Sequence, residues 1–160
     1  MAWVAYDLWI QGQLDSNAQP GAPVDFDAAG SNPICIALVD SSNAPARATD
    51  QDLADAVAGS TEVAGTNYAR KVLASCDVTL SANTITVDAS NPSAFSQHAS
   101  GFSDARYVVM FQADSSTPAS TTAASSPLIC YYDLGADKNN KSGDLTLTLS
   151  TSGIFTMAVA

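Results

Sequence analysis

Short apolar segments separated by turn residues recur along most of the chain, and they constrain its fold more than any other feature. Apolar and hydroxyl side chains alternate in Leu145-Thr-Leu-Thr-Leu149, as on a strand with one buried face. A continuous apolar run of strand length occurs at 34–39, and buried strands are also expected at 106–113 and 128–134. About eight such segments follow one another at close spacing, which is typical of a single antiparallel β-sandwich or a small barrel.

The remaining segments complete a mainly β prediction with one short inserted helix. Further strands are expected at 68–73, at 76–80 and 85–88 as a hairpin, and at 154–159. A helix is expected at 49–57, because Thr49 is a suitable N-cap and acidic residues follow it. The polar stretches 90–104 and 115–126 are expected to be surface loops.

The first residues suggest a separate N-terminal arm. Apolar side chains at helix-like spacing predict a short helix over residues 1–13, and the Pro- and Gly-containing stretch 15–24 then forms a linker. The predicted organisation is an arm and linker at 1–23 and a β-sandwich domain at 24–160. Aromatic side chains are enriched at the centres of protein interfaces, so this helix could anchor into a neighbouring subunit. The alternative is that the helix packs on its own domain. The predicted partner interface comprises Trp3, Tyr6, Trp9, Ile10, Phe95 and Phe102.

Charge and cysteine content restrict the possible partners. The formal net charge is −10, and only 14% of residues are charged. Phosphate backbones require clustered Lys and Arg, so no direct nucleic-acid partner is expected. No stretch reaches the roughly 20 apolar residues of a membrane span, so no membrane partner is expected either. Cys35, Cys76 and Cys130 are widely spaced and odd in number, which favours free thiols in a protein made in a reducing cytoplasm.

No pattern in the sequence predicts catalysis or a cofactor. The single histidine, His98, lies in a turn-rich stretch, where a solvated side chain is more common than a catalyst. Asp133, Asp137, Asn139 and Asp144 could hold calcium through oxygen ligands, but their spacing differs from the EF-hand loop, and a plain hairpin turn is favoured. We therefore expect a protein without enzymatic activity and without a cofactor.

Several blocks of sequence resemble a family of small structural proteins of tailed bacteriophages. The resemblance starts with Val24-Asp-Phe-Asp27 and Ile34-Cys-Ile-Ala-Leu-Val-Asp40, and continues with Glu62-Val-Ala-Gly-Thr-Asn-Tyr68. It resumes in Ala105-Arg-Tyr-Val-Val109, Pro127-Leu-Ile-Cys-Tyr-Tyr-Asp-Leu-Gly135, Gly143-Asp-Leu-Thr-Leu-Thr-Leu149 and Ser152-Gly-Ile-Phe-Thr156. The blocks follow the order of the family and cover most of residues 24–157. Asn67 replaces the glycine that is usual before the tyrosine, and the linker at 15–24 is longer than usual.

The resemblance implies a virion component, and a capsid decoration or cement protein on the surface of the head is the role it favours. Its expected partners are the major capsid protein and further copies of this chain, as a homo-oligomer such as a trimer. Two alternatives stay open from the sequence. One is a tail or neck structural protein, and the other is a carbohydrate-binding attachment module that would use exposed aromatics among Trp9, Phe95 and Phe102.

Overall fold

The computed structural model describes residues 3–6, 26, 32–59 and 61–158, and its architecture is mainly β. Eight strands form two antiparallel sheets in this part of the chain. The first sheet has five strands in the order β1-β7-β6-β2-β3, and the second has three in the order β4-β5-β8. The strands are β1 (Val4–Ala5), β2 (Ile34–Asp40), β3 (Lys71–Val72), β4 (Asp77–Ser81), β5 (Thr84–Asp88), β6 (Ala105–Gln112), β7 (Leu128–Lys138) and β8 (Phe155–Ala158).

This architecture confirms the predicted mainly β, sandwich-like fold. Neither sheet closes on itself within the described residues, so the barrel alternative does not apply to them. Strand β2 lies inside the first sheet, and its first six residues are all buried, as its continuous apolar sequence predicts. It pairs antiparallel with β6, which pairs in turn with β7. One core cluster contains the buried side chains of all three strands.

The predicted helix over residues 1–13 is wrong for residues 3–6. Val4 and Ala5 form β1, which pairs with Tyr131 and Cys130 of β7. Main-chain hydrogen bonds to an open sheet edge satisfy backbone groups that a short helix would leave at its ends. Residues 7–13, the linker at 15–24 and the boundary between 23 and 24 lie outside the described residues.

The inserted helix is present but shorter than predicted. Helix α1 spans Leu53–Ala56, and its N-cap is Asp52 instead of Thr49. Asp52 accepts a hydrogen bond from the Asp55 N–H, and the Asp55 carboxylate accepts one from the main chain of Asp52, so the two form a capping box. The Leu53 N–H donates to the Ser126 carbonyl, so α1 packs on the stretch 115–126. That stretch contains two 3-10 turns, Pro118–Ser120 and Ala123–Ser125, where a mobile loop was predicted.

One strand was predicted too long, one was predicted too short, and one predicted strand forms no ladder. The strand predicted at 68–73 is reduced to β3, Lys71–Val72, whereas β7 extends to Lys138 and includes the start of the predicted polar turn. The alternating segment 145–149 has the predicted burial, with Leu147 and Leu149 buried and Thr146 and Thr148 exposed. It nevertheless forms no ladder, because only Leu145 pairs, through an isolated bridge to Phe95.

Candidate functional site

The aromatic residues of the N-terminal segment pack on the body of the protein. The Tyr6 side chain is 1% exposed, its N–H donates to the Ile129 carbonyl at 3.1 Å, and its ring centroid lies 5.4 Å from that of Tyr131. Trp3 is partly buried, with its ring centroid 5.9 Å from that of Tyr132. The assignment of Tyr6 to a partner interface is therefore corrected, because its buried ring covers the chain's own first sheet. Trp3 is only partly buried, so its interface role stays a prediction. The other two residues of the predicted arm interface, Trp9 and Ile10, lie outside the described residues.

Phe95 and Phe102 are also core residues, although they come from a polar loop. Their side chains are 0% and 1% exposed. Together with Tyr68 they form an aromatic cluster whose ring centroids lie 5.7–5.9 Å apart. The large apolar area of a phenyl ring favours burial even where its neighbours in sequence are polar. Neither ring can stack on a sugar or meet a partner in this fold, which removes two of the three aromatics proposed for carbohydrate binding.

The only glutamate of the chain organises a compact hydrogen-bond network, the Glu62 network. Arg70 donates from Nε to Glu62 Oε1 at 2.9 Å and from its NH2 group to Oε2 at 2.7 Å, a bidentate ion pair. The Tyr68 hydroxyl donates to the same Oε1 at 2.6 Å and accepts from the Leu38 N–H at 3.2 Å. A further donation from Arg70 reaches the Pro118 carbonyl at 3.4 Å. The network therefore joins strand β2 to the loop that carries the first 3-10 turn.

The raised pKa values of Tyr68 and Arg70 favour a structural role for the Glu62 network. Burial, together with the neighbouring Glu62 carboxylate, raises the pKa of Tyr68 well above its ordinary value. The hydrogen bonds to Glu62 raise the pKa of Arg70 in turn. Tyr68 stays neutral and Arg70 stays charged at any physiological pH, so neither serves as a proton carrier. The sequence pattern did not indicate Arg70 as a partner of Glu62.

A buried asparagine connects the loops on the other side of the aromatic cluster. Asn140 is fully buried, and its Nδ2 donates to the carbonyls of Thr66 at 3.2 Å and Ser96 at 2.9 Å. Its main-chain carbonyl accepts from the His98 N–H at 2.9 Å. The exposed His98 ring uses Nδ1 to accept from the Ser100 N–H at 3.0 Å, which shapes the turn. The lone histidine is thus engaged in loop structure.

Three of the four residues considered for calcium accept hydrogen bonds from other groups of the chain. Arg106 donates to both carboxylate oxygens of Asp133, at 2.6 and 3.1 Å, and this hydrogen bonding lowers the pKa of Asp133. Asp144 Oδ1 accepts from the Gln97 N–H at 2.7 Å, and Asn139 Oδ1 accepts from the Lys141 N–H at 3.0 Å. Within residues 3–6, 26, 32–59 and 61–158, no group of three or more His, Cys, Asp or Glu side chains is placed to hold a metal ion.

The three thiols are free and poorly suited to act as nucleophiles. Cys35 and Cys130 are buried, whereas Cys76 is half-buried. Burial raises the pKa of Cys35 to about 12 and that of Cys76 to about 11, and it raises the pKa of Cys130 as well. Because the thiolate is the reactive form, these thiols are nearly inert at neutral pH. Cys35 and Cys130 pack in the core as small apolar residues.

The second sheet presents the most exposed apolar side chains of the described chain. All five residues of β4 are exposed, with Val78 at 48% and Leu80 at 71%. Val78 lies opposite Val87 of β5, and Leu80 lies opposite Ile85, so these four side chains share one face of the hairpin. Val87 is buried and Ile85 partly buried, so the exposed part of this apolar face lies on β4. Large contiguous areas of exposed apolar surface are common where proteins bind partners.

Comparisons with known proteins identify no relative of this chain. No family model, no curated protein and no solved structure matches the chain. In the described part, no helix has the length and apolar character needed to cross a membrane.

Proposed function

We propose that this chain is a non-enzymatic structural component of a tailed-phage virion, where it decorates the outer surface of the head and stabilises the boundaries between capsomers. The proposal rests on the contacts that these sequence blocks make with one another in the fold. The sequence blocks that resemble phage structural proteins are scattered along the chain, yet they contact one another in the fold. The blocks include residues of the core strands β2, β6 and β7, so the resemblance concerns residues that determine the fold.

Three sets of contacts support this observation. The block at 24–27 meets the block at 152–156, since the ring centroids of Phe26 and Phe155 lie 6.1 Å apart. The block at 34–40 meets the block at 62–68 through the bond between Leu38 and Tyr68 and through a bridge between Val39 and Glu62. The blocks at 34–40, 105–109 and 127–135 pair side by side as β2, β6 and β7.

The surface chemistry supports adhesion as the task of the protein. Arg70 and Arg106 are paired within the chain, and the acidic excess leaves a net charge of −10. Such a surface keeps the free protein soluble by self-repulsion. A decoration protein adds contact area across capsomer boundaries, and about 1,600 Å² with an apolar centre gives stable attachment. The proposed partners are the major capsid protein and other copies of this chain.

We place part of the capsid contact on Trp9 and Ile10, the two predicted interface residues that are not assigned to the core. Removing residues 1–20 is not a clean test, because β1 and the buried Tyr6 would be lost as well. The sharper variant is Trp9→Ala in phage that carry the substituted gene, with Trp3→Ala as the matched control. We expect Trp9→Ala to reduce occupancy on heads at unchanged Tm. Trp3→Ala removes a ring that packs on Tyr132 and should lower Tm instead.

Copy number in purified virions tests the proposal directly. Quantitative mass spectrometry of the phage that encodes this chain should find it in hundreds of copies per particle, in fixed ratio to the major capsid protein. About six to a few dozen copies would replace the head position by the tail or neck alternative. Absence from purified particles would refute the virion role altogether.

A further inference from the structure

Strand β4 has a free edge that is suited to pair with another strand. In the second sheet its single neighbour is β5, and no described residue pairs with its outer side. The strand is regular over all five residues, without a register shift, and contains no Pro, Gly or Lys. Proteins normally prevent pairing at edge strands with bulges, with Pro or with Lys, and β4 has none of these. Its two exposed apolar residues, Val78 and Leu80, add to the tendency to associate.

The turn of the hairpin determines which backbone groups face outwards. Ala82 and Asn83 both have positive φ, 46° and 62°, as a two-residue type I′ turn requires. In such a hairpin Ser81 and Thr84 form the closing hydrogen-bonded pair, and bonded and non-bonded pairs alternate from there. Val78 and Leu80 consequently belong to non-bonded pairs. Their N–H and C=O groups point away from β5, towards the free edge.

We propose that β4 pairs antiparallel with β4 of a second copy of this chain, about a two-fold axis at Thr79. This register sets Val78 of each copy opposite Leu80 of the other, so both outward-facing residues of each strand are used. The same apolar side chains then lie on one face of a continuous six-stranded sheet. A two-fold contact must be self-complementary, and the alternation of β4 has this property.

The charges and the side-chain pattern of β4 both favour this register over registers that are shifted by one or two residues. With the axis at Thr79, Asp77 lies opposite Ser81 of the second copy, so the two aspartates do not face each other. A slip by one residue would join the apolar face of one hairpin to the polar face of the other. A slip by two residues would leave one outward-facing residue of each strand without its intended apolar partner. The contact does not depend on the virion role, although it supplies a defined form of the self-association proposed there.

The contact is small, so we expect a weak and salt-dependent dimer. Two five-residue edges bury far less than the roughly 1,600 Å² of a standard interface. The net charge of −10 opposes association of two copies. Screening of this repulsion should strengthen the dimer as ionic strength rises. A head surface that holds many copies side by side would raise their local concentration and favour the same contact.

Sedimentation velocity of the full chain from about 10 µM to about 1 mM, with hydrogen exchange at both ends of that range, tests the proposal. We expect the mean mass to rise towards that of a dimer with concentration. Protection of the Val78 and Leu80 amides should rise in parallel. The Thr79 and Ser81 amides, which already bond to β5, should show no comparable change.

Two disruptive variants and one matched control identify the edge. Val78→Pro removes an outward N–H while leaving the bonds to β5, and Leu80→Lys places a charge on the edge; both should abolish the dimer. Thr156→Lys adds the same charge at an exposed position of β8 and should dimerise like the parent chain. A dimer that survives both edge variants would overturn the proposal, as would a trimer or a chain that stays monomeric at about 1 mM. Protection of the two amides that is independent of concentration would show that the chain covers its own edge, which also overturns it.

Discussion

Replacing Tyr68 by Phe tests whether the Glu62 network holds the edge of the first sheet. Strand β3 pairs only with Cys35 and Ile36 of β2, so the Leu38 N–H lies beyond the end of that ladder. The Tyr68 hydroxyl accepts this hydrogen bond at 3.2 Å and donates to Glu62 at 2.6 Å. The substitution removes both bonds and keeps the ring in its aromatic cluster.

The expected loss follows from these two contacts. A hydrogen bond to a charged group contributes roughly 1.5–3 kcal/mol, and a buried donor left without a partner costs roughly 1–3 kcal/mol. The two effects share one hydroxyl and are not additive, so we expect Tyr68→Phe to lower the free energy of unfolding by about 2–4 kcal/mol. For a chain of this length, each kcal/mol lowers Tm by about 2–4 °C.

Urea unfolding followed by circular dichroism measures this loss. The midpoint should fall while the slope with denaturant stays constant, since the folded surface is unchanged. Tyr132→Phe is the matched control, because Tyr132 is also partly buried and no hydrogen bond of its hydroxyl is found among the described residues. It should change stability by less than about 0.5 kcal/mol. If Tyr68→Phe were as mild as this control, the hydroxyl would not support the sheet edge as described.

Three further predictions concern loop packing, helix capping and the thiols. A Cβ at Gly101 would overlap the Asn140 carboxamide, so Gly101→Ala should lower the free energy of unfolding by about 1–3 kcal/mol, whereas Gly143→Ala, with open space around it, should be nearly neutral in the same urea titration. Asp52→Ala removes the N-cap of α1 and should lower that free energy by about 1 kcal/mol, again by urea titration; no loss would contradict the capping box. A thiol reagent at pH 8 should leave the two buried cysteines unmodified until urea is added, and Cys76 should react slowly; fast reaction of all three would contradict their raised pKa values. Because folding raises these pKa values, their contribution to stability is present below about pH 9 and should decline as pH rises towards 11–12, which unfolding at stepwise alkaline pH can measure.

The strands with the strongest local patterns could be predicted from the sequence. The apolar run of β2 is buried on both faces, as is most of β6, and the location of both strands follows from their apolar residues. The hairpin of β4 and β5 follows from alternation on both sides of a short polar turn. The burial of Leu147 and Leu149 was also evident, but not the lack of a ladder there, because strand pairing depends on which neighbour is available.

The N-terminal strand and the candidate site could not be predicted in the same way. Trp3 and Tyr6 have a spacing that suits one face of a helix, and only the open edge of β7 explains why their segment is extended. Glu62 and Arg70 are eight residues apart, and their bidentate contact depends on a loop between two pairings with β2, at Glu62 and at Lys71. The aromatic cluster likewise depends on a long loop that folds back over the body. Non-local contacts of this kind leave no periodic signal in the sequence.

A cryo-electron microscopy map of purified virions tests whether this chain decorates the phage head. We expect the map to contain a two-sheet β body of this chain on the outer surface of the head, at the boundaries between capsomers and in contact with the major capsid protein. Density for the chain confined to the tail or neck, or particles that lack the chain entirely, would contradict it.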